Sequence, residues 1–305
     1  MLTRIRPRGM TASVALVIGS CTSLQFGAAL AVQLFPELGT WGVTALRLSI
    51  AALVLCAAVR PRVRTWTREQ LGWVAAYGLS LAAMNGSFYA SLERIPLGTA
   101  VAIEFLGPLV LAAVLTRRAL DFAWVGVALV GMALLGVDSA IGVPLDGAGV
   151  VFALVAAGFW ALYIRTSARV GQLVPGMGGL AVALVIASTA LLPFGVPAAI
   201  EVVAEPSLLV LAVGTALLAS VIPYALELMA LRRLPQRVFG VLLSLEPVIA
   251  TAAGWLLLAQ AMSPLRIAAI ALVVAASVGT ALAARRASED APGSALTGAI
   301  PVIRD

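Results

Sequence analysis

The chain has no histidine and no lysine, only two cysteines, and few charges: 11% of its 305 residues are Asp, Glu, Lys or Arg. Each scarcity excludes something. With no histidine, and with Cys21 and Cys56 both inside apolar runs, neither a zinc nor a haem site is expected, nor a disulfide framework. No cofactor is expected. The low charge excludes an ordinary soluble domain, which is about half apolar and about a quarter charged. Here 62% of residues are hydrophobic and the mean hydropathy is +1.06, so the expected solvent is a lipid bilayer. The net charge of +6 comes from 20 basic residues, all arginine, placed between apolar runs without forming a basic face. That pattern argues against a nucleic-acid partner and for positive-inside topology.

What is present is a succession of ten apolar segments, at about 11–33, 40–59, 70–92, 96–116, 121–137, 147–166, 177–197, 207–230, 236–258 and 264–284. Most are long enough for a helix through a ~30 Å hydrocarbon core at ~1.5 Å per residue. The first has a basic start (Arg4, Arg6, Arg8) and an AALA stretch at 28–31, yet its centre holds Ser20, Cys21, Thr22, Ser23 and Gln25. A polar centre does not suit a signal peptide, so an uncleaved span is expected. Sorted by alternating loops, 17 arginines fall on one side and two, Arg94 and Arg266, on the other, with Arg47 inside a span. This predicts a multi-pass membrane protein with both termini cytoplasmic, residues 1–10 and 285–305 lying outside the membrane domain.

An internal repeat is visible. RIPLGTAVAIEFLGP (94–108) and RLPQRVFGVLLSLEP (233–247) both begin Arg-[Ile/Leu]-Pro, and in each the two prolines are twelve residues apart. The period is five segments, an odd number, so the halves 11–137 and 147–284 enter the membrane in opposite senses. The expected fold is an all-α membrane protein of ten transmembrane helices in two inverted five-helix repeats, an architecture that places a substrate site near the midplane of transporters.

Four ionisable residues lie within the segments: Arg47, Glu104, Glu227 and Glu246. A charge at mid-bilayer costs about 2.5–3.5 kcal/mol on insertion scales and is usually paired, cavity-facing or proton-carrying. Glu104 is eight residues past Pro96 and Glu246 eleven past Pro235, roughly 12 Å and roughly 16 Å from opposite ends of their helices. Both therefore belong near midplane. Glu227, five residues from Arg232, belongs nearer the cytoplasmic face. A purely structural alternative pairs Arg47 with one of the glutamates. Pro108, Pro223 and Pro247 also lie inside segments; each removes a helical donor and frees a carbonyl that a neighbour must satisfy or a cavity can use. Gln25, Asn85, Tyr89, Trp160, Tyr163 and Tyr224 are candidates to line such a cavity, against the interfacial anchoring usual for Trp and Tyr. Ala153/Ala157/Ala161 and Ala271/Ala275/Gly279 are read as packing faces.

These stretches resemble a known family. SLQFGAALAVQLFPELGTWGVTALRLSIAALVL (23–55), IPLGTAVAIEFLGPL (95–109), FWALYIRTSARVG (159–171) and IPYALELMALRRLPQRVFGVLLSLEPVIAT (222–251) are similar to the drug/metabolite transporter superfamily, EamA type. The resemblance implies proton-driven export of small neutral amino acids across the inner membrane of a bacterium. It departs from many EamA repeats where Arg118 and Gln260 lie near positions usually held by glutamate. In the exporter reading the ammonium of a zwitterionic substrate meets Glu104 or Glu246, its carboxylate meets Arg47, and a carboxylate carries the proton because no histidine exists. A carrier of another small metabolite or drug, or an importer, remains the alternative, and a homodimer is one assembly open to such a chain. Phosphorylated substrates are disfavoured because Arg47 is the one cation inside the spans. An intramembrane enzyme lacks a nucleophile–base pair.

Overall fold

The computed structural model describes residues 7–116, 119–141, 144–231, 242–243 and 245–289. Among them there is no strand. The helices are α1 (Pro7–Gln33), α2 (Thr40–Val59), α3 (Arg68–Leu92), α4 (Leu97–Glu104), α5 (Leu106–Thr116), α6 (Ala119–Ile141), α7 (Gly147–Leu173), α8 (Gly178–Ala190), α9 (Leu192–Ala204), α10 (Pro206–Ala216), α11 (Ile222–Leu231), α12 (Glu246–Leu258) and α13 (Pro264–Glu289). A π-helical turn, Leu217–Val221, joins α10 to α11.

Local chemistry starts several of these helices. Thr67 and Gln70 form a reciprocal capping box at the start of α3, which satisfies two orphan N–H groups. Asp146 accepts from Ala148 N and Gly149 N to open α7. The N-terminus of α4 is capped from elsewhere: Gln260 Oε1 accepts from Leu97 N at 3.1 Å. Gln260 is thus an amide cap on a neighbouring helix.

Among the described residues four spans are long and apolar enough to cross a membrane, α4 and α5 together counting as one, and a fifth is counted if the α8–α9 pair is one. That pair corrects the expectation of a single straight seventh segment, because α8 and α9 meet at 83°. Pro193, in the first turn of α9, has no N–H for the Thr189 carbonyl, and the helix breaks there. The fifth segment, in contrast, is longer than its apolar run: α6 extends from Ala119 to Ile141. Residues 236–241 of the ninth segment, with most of the second repeat copy, lie outside the described residues.

The core is centred on α4, in which every residue from Leu97 to Glu104 is buried. It is held between α7 and α12. Close approach explains Gly107, just past the break: a Cβ there would come within 1.9 Å of the Ala157 carbonyl oxygen, so α5 lies directly on the backbone of α7. Ala153 and Ala157 are buried in that contact. The second small-residue stripe is divided. Ala271 and Ala275 are exposed, while Gly279 is buried against Trp124, where a Cβ would come 2.2 Å from the ring. On the same helix α13 buries Ala269, Ile270, Val273 and Ala276. Apolar side chains on the outside, among them Leu53, Ile141 and Val203, suit contact with lipid rather than water.

Candidate functional site

The site is built from two helix interruptions and the charges beside them. The first is the π turn. Pro223 has no N–H, so it cannot serve the Ala219 carbonyl at α-helical spacing or the Leu218 carbonyl at π spacing. Other helices take both oxygens. Arg47 Nη1 on α2 donates to Ala219 O at 2.8 Å and to Ser220 Oγ at 2.8 Å. Ser23 Oγ on α1 donates to Leu218 O at 2.7 Å, and Ser20 Oγ reaches Pro223 O at 3.3 Å. Gly27 makes this approach possible, since a Cβ there would lie 2.6 Å from Ala219 N.

Arg47 is 2% exposed. Its Nη2 donates to Asn85 Oδ1 on α3, and its guanidinium carbon lies 4.7 Å from the centre of the Tyr89 ring, one turn further along α3. The Asn85 amide is in turn oriented by Nδ2, which donates to Leu81 O at 2.8 Å. Among the described residues no carboxylate pairs with Arg47. Its Nε and the Tyr89 hydroxyl are buried with no hydrogen-bond partner, which is rare for such groups and is usual where something else binds.

The second interruption is at Phe105, between α4 and α5. Glu104 is the last residue of α4 and is 8% exposed. Pro108 has no N–H to offer the Glu104 carbonyl, and no hydrogen bond or ion pair reaches the Glu104 carboxylate among the described residues. Tyr89 lies within electrostatic reach of both Arg47 and Glu104. The tyrosine is thus within reach of a guanidinium on α2 and of a carboxyl group on α4. Trp160 packs edge-on against Phe105 at 4.8 Å, closing the break from the α7 side.

Glu246 occupies the other half. It is 5% exposed and begins α12, followed at once by Pro247. The Cys21 thiol on α1 donates to Glu246 Oε1 at 3.9 Å. Gln25, one turn beyond Cys21 on α1, keeps a buried Oε1 without a partner. Tyr163 is not part of this group: it packs on Tyr77 at 5.3 Å, in the core between α3, α7 and α8. The side chains of Tyr224 and Glu227 lie outside the described residues.

Three features were not anticipated from the sequence. The π turn has no signal beyond Pro223. Ser20 and Ser23 were noted only as polar positions in an apolar helix, and their use as donors to freed carbonyls depends on which helix lies opposite. Arg266, sorted by sequence with the loop arginines, forms a mostly buried pair with Asp138 at 3.0 Å that also engages Ser263. A groove of about 500 Å³ lined by Leu120, Trp124, Val248, Ala271, Ala275 and Gly279, among others, is apolar and includes none of the ionisable groups above. Among the described residues no cluster could hold a metal ion.

Comparison with known proteins gives a consistent result. Residues 147–282 match the EamA-like transporter family. The threonine/homoserine exporter RhtA of Escherichia coli strain K12 is 38% identical over 279 residues, covering 90% of this chain and 93% of its own. The threonine/homoserine exporter RhtA of Salmonella typhimurium strain LT2 is 41% identical over 268 residues, covering 87% and 90%. A crystal structure of a protein only 20% identical superposes with a TM-score of 0.59, covering 91% of this chain and 99% of that one, and shows a shared fold.

Proposed function

We propose, from the premise that this chain belongs to the EamA-like transporter family, that it exports small neutral amino acids of the threonine and homoserine class by proton antiport. The observation that carries this reading is the buried arrangement of Arg47 and Glu104 about Tyr89. A zwitterion presents one carboxylate and one ammonium. Arg47 offers a buried guanidinium with Nε open; Glu104 offers a buried carboxylate with no partner among the described residues. Charge-assisted hydrogen bonds at both ends would hold the substrate across the tyrosine.

Coupling follows from the same carboxylate. Facing the cytoplasm, ionised Glu104 binds the ammonium. Facing outward, a proton from outside converts the carboxylate to the neutral acid, the ammonium loses its counter-charge, and the amino acid leaves. Return to the inward state releases the proton inside. Glu246, at the start of α12, is the second group able to carry that proton.

The wider architecture proposed is ten helices in two inverted repeats. Its support is the packing. Numbering the apolar segments one to ten, three packs on six and eight on one; four packs on six and nine on one; four meets nine and five meets ten. Adding five exchanges the pairings within each of the first two couples and returns the last two pairings to themselves. The alternation of loops is supported by ion pairs that, among the described residues, join loops assigned to the same side: Glu69 with Arg169, Arg94 with Asp146, and Asp138 with Arg266; cytoplasmic termini rest on the distribution of arginine.

The test is efflux of labelled threonine or homoserine from loaded proteoliposomes under an imposed pH gradient. Efflux by the wild-type chain that rises with the gradient is expected, with loss of that dependence in Glu104→Gln or Glu246→Gln. Undiminished, gradient-dependent efflux in both variants removes the assignment of the proton to these residues. No efflux from the wild type across the amino-acid panel removes the exporter reading itself.

A further inference from the structure

A guanidinium carries five N–H donors. Arg47 uses both donors of Nη1 on Ala219 O and Ser220 Oγ, and one donor of Nη2 on Asn85 Oδ1. What remains is the second donor of Nη2 and the Nε–H, which is buried without a partner. Nε and Nη2 share one edge of the planar group, the edge that grips a carboxylate with two parallel hydrogen bonds. Asn85 Oδ1 thus sits at Nη2, one of the two nitrogens of the edge that grips a carboxylate, and the other nitrogen, Nε, is open.

Asn85 is the chain's one asparagine and is 7% exposed. Its oxygen is aimed at Arg47 because its nitrogen is held by Leu81 O. The Tyr89 ring covers one face of the guanidinium, so a ligand must approach along the edge. A neutral amide oxygen meets part of the hydrogen-bonding need of a buried cation, yet binds it less strongly than an anion does.

We infer that Asn85 is the residue that sets selectivity for a carboxylate-bearing substrate, by holding the Nη2 position on Arg47 until the substrate carboxylate displaces it. This rests on the exporter reading above. The incoming carboxylate takes Nε and Nη2 together. Ala219 and Ser220 stay on Nη1, so Arg47 remains fastened to the π turn during the exchange. An aspartate at position 85 would make a permanent occupant of that edge, of the same charge as the substrate group it excludes.

The experiment uses the full-length chain in proteoliposomes, with the melting temperature of each purified variant as the control for folding. Wild type, Asn85→Asp and Asn85→Ala are compared for threonine efflux at a range of internal concentrations. In Asn85→Asp the KM should rise at least about tenfold while the melting temperature stays at or above the wild-type value. In Asn85→Ala the KM should fall, since the competitor is gone, while the melting temperature drops. An Asn85→Asp protein that is folded and keeps a KM within about twofold of wild type overturns the inference. So does an Asn85→Ala KM at or above wild type, which decides the matter if Asn85→Asp does not fold. Wild-type efflux in the same vesicles separates these outcomes from failure of the exporter reading, which would appear as no efflux by any protein and would overturn the inference with it.

Discussion

Two prolines interrupt two helices, and the molecule treats the interruptions in opposite ways. At Pro223 the freed carbonyls are claimed at once, Ala219 by Arg47 and Leu218 by Ser23. Three helices are tied together there, α1 and α3 through their side chains and α2 through the arginine. At Pro108 the break exposes the end of α4, and the carboxylate of Glu104 has no partner among the described residues although it is 8% exposed. The same backbone defect is thus a fastening in one place and an open position in the other. A buried ionisable group without a partner is costly. It is kept where occupancy changes with state, which is what a carrier needs from one end of its site and not from the other.

Experiments can break or sharpen this contrast. The largest effect is expected at the open position. Glu104→Gln should lower gradient-driven efflux by about ten- to a hundredfold, the worth of one charge-assisted contact of about 1.5–3 kcal/mol, with little change in melting temperature because no partner is lost; a large drop in stability with retained coupling would make Glu104 structural. Next is the fastening. Arg47→Ala should destabilise the protein by ~3 kcal/mol, since it leaves the Ala219 carbonyl and the Asn85 amide oxygen buried and unpaired; denaturation in detergent measures this, and a stability equal to wild type would remove the fastening. Pro223→Ala should be milder. The restored N–H competes with Arg47 for Ala219 O, so the π turn should tighten toward α-helix, with efflux slowed about fivefold and stability equal or higher. An unchanged efflux rate would show that the π turn is incidental. The smallest effect is expected for Ser23→Ala, which should cost ~1 kcal/mol by removing one neutral hydrogen bond and leave KM unaltered in the efflux assay.

The midplane candidates came from a simple incongruity, and their placement shows how far that reasoning extends. Glu104 and Glu246 were singled out because a carboxylate in an apolar run is expensive, and both are buried, Glu104 at the end of α4 and Glu246 at the start of α12. Asn85 and Tyr89 were weak candidates individually; they share a face of α3 and meet Arg47 there. Tyr163 had the same credentials and packs elsewhere, on Tyr77. Nothing in composition separates Tyr89 from Tyr163, because both are aromatic residues in apolar helices and differ only in what stands opposite. The seventh segment illustrates a related gap. Its hydropathy runs on through Pro193, while its backbone turns by 83°, since hydropathy reports solvent preference and is blind to a missing N–H.

The sequence by itself determined that this protein lives in a bilayer, which residues are too polar to be there without reason, and which prolines withhold a helical donor. These follow from transfer free energies and from the absent amide hydrogen of proline, both properties of single residues and their neighbours in the chain. Only the tertiary structure decided which freed carbonyls are satisfied, which charge is anchored, and which is left open. Ser23 and Leu218 are 195 residues apart, and Arg47 and Ala219 are 172 apart. The energy of a hydrogen bond depends on geometry within a few tenths of an ångström, and that geometry exists only once the helices have packed.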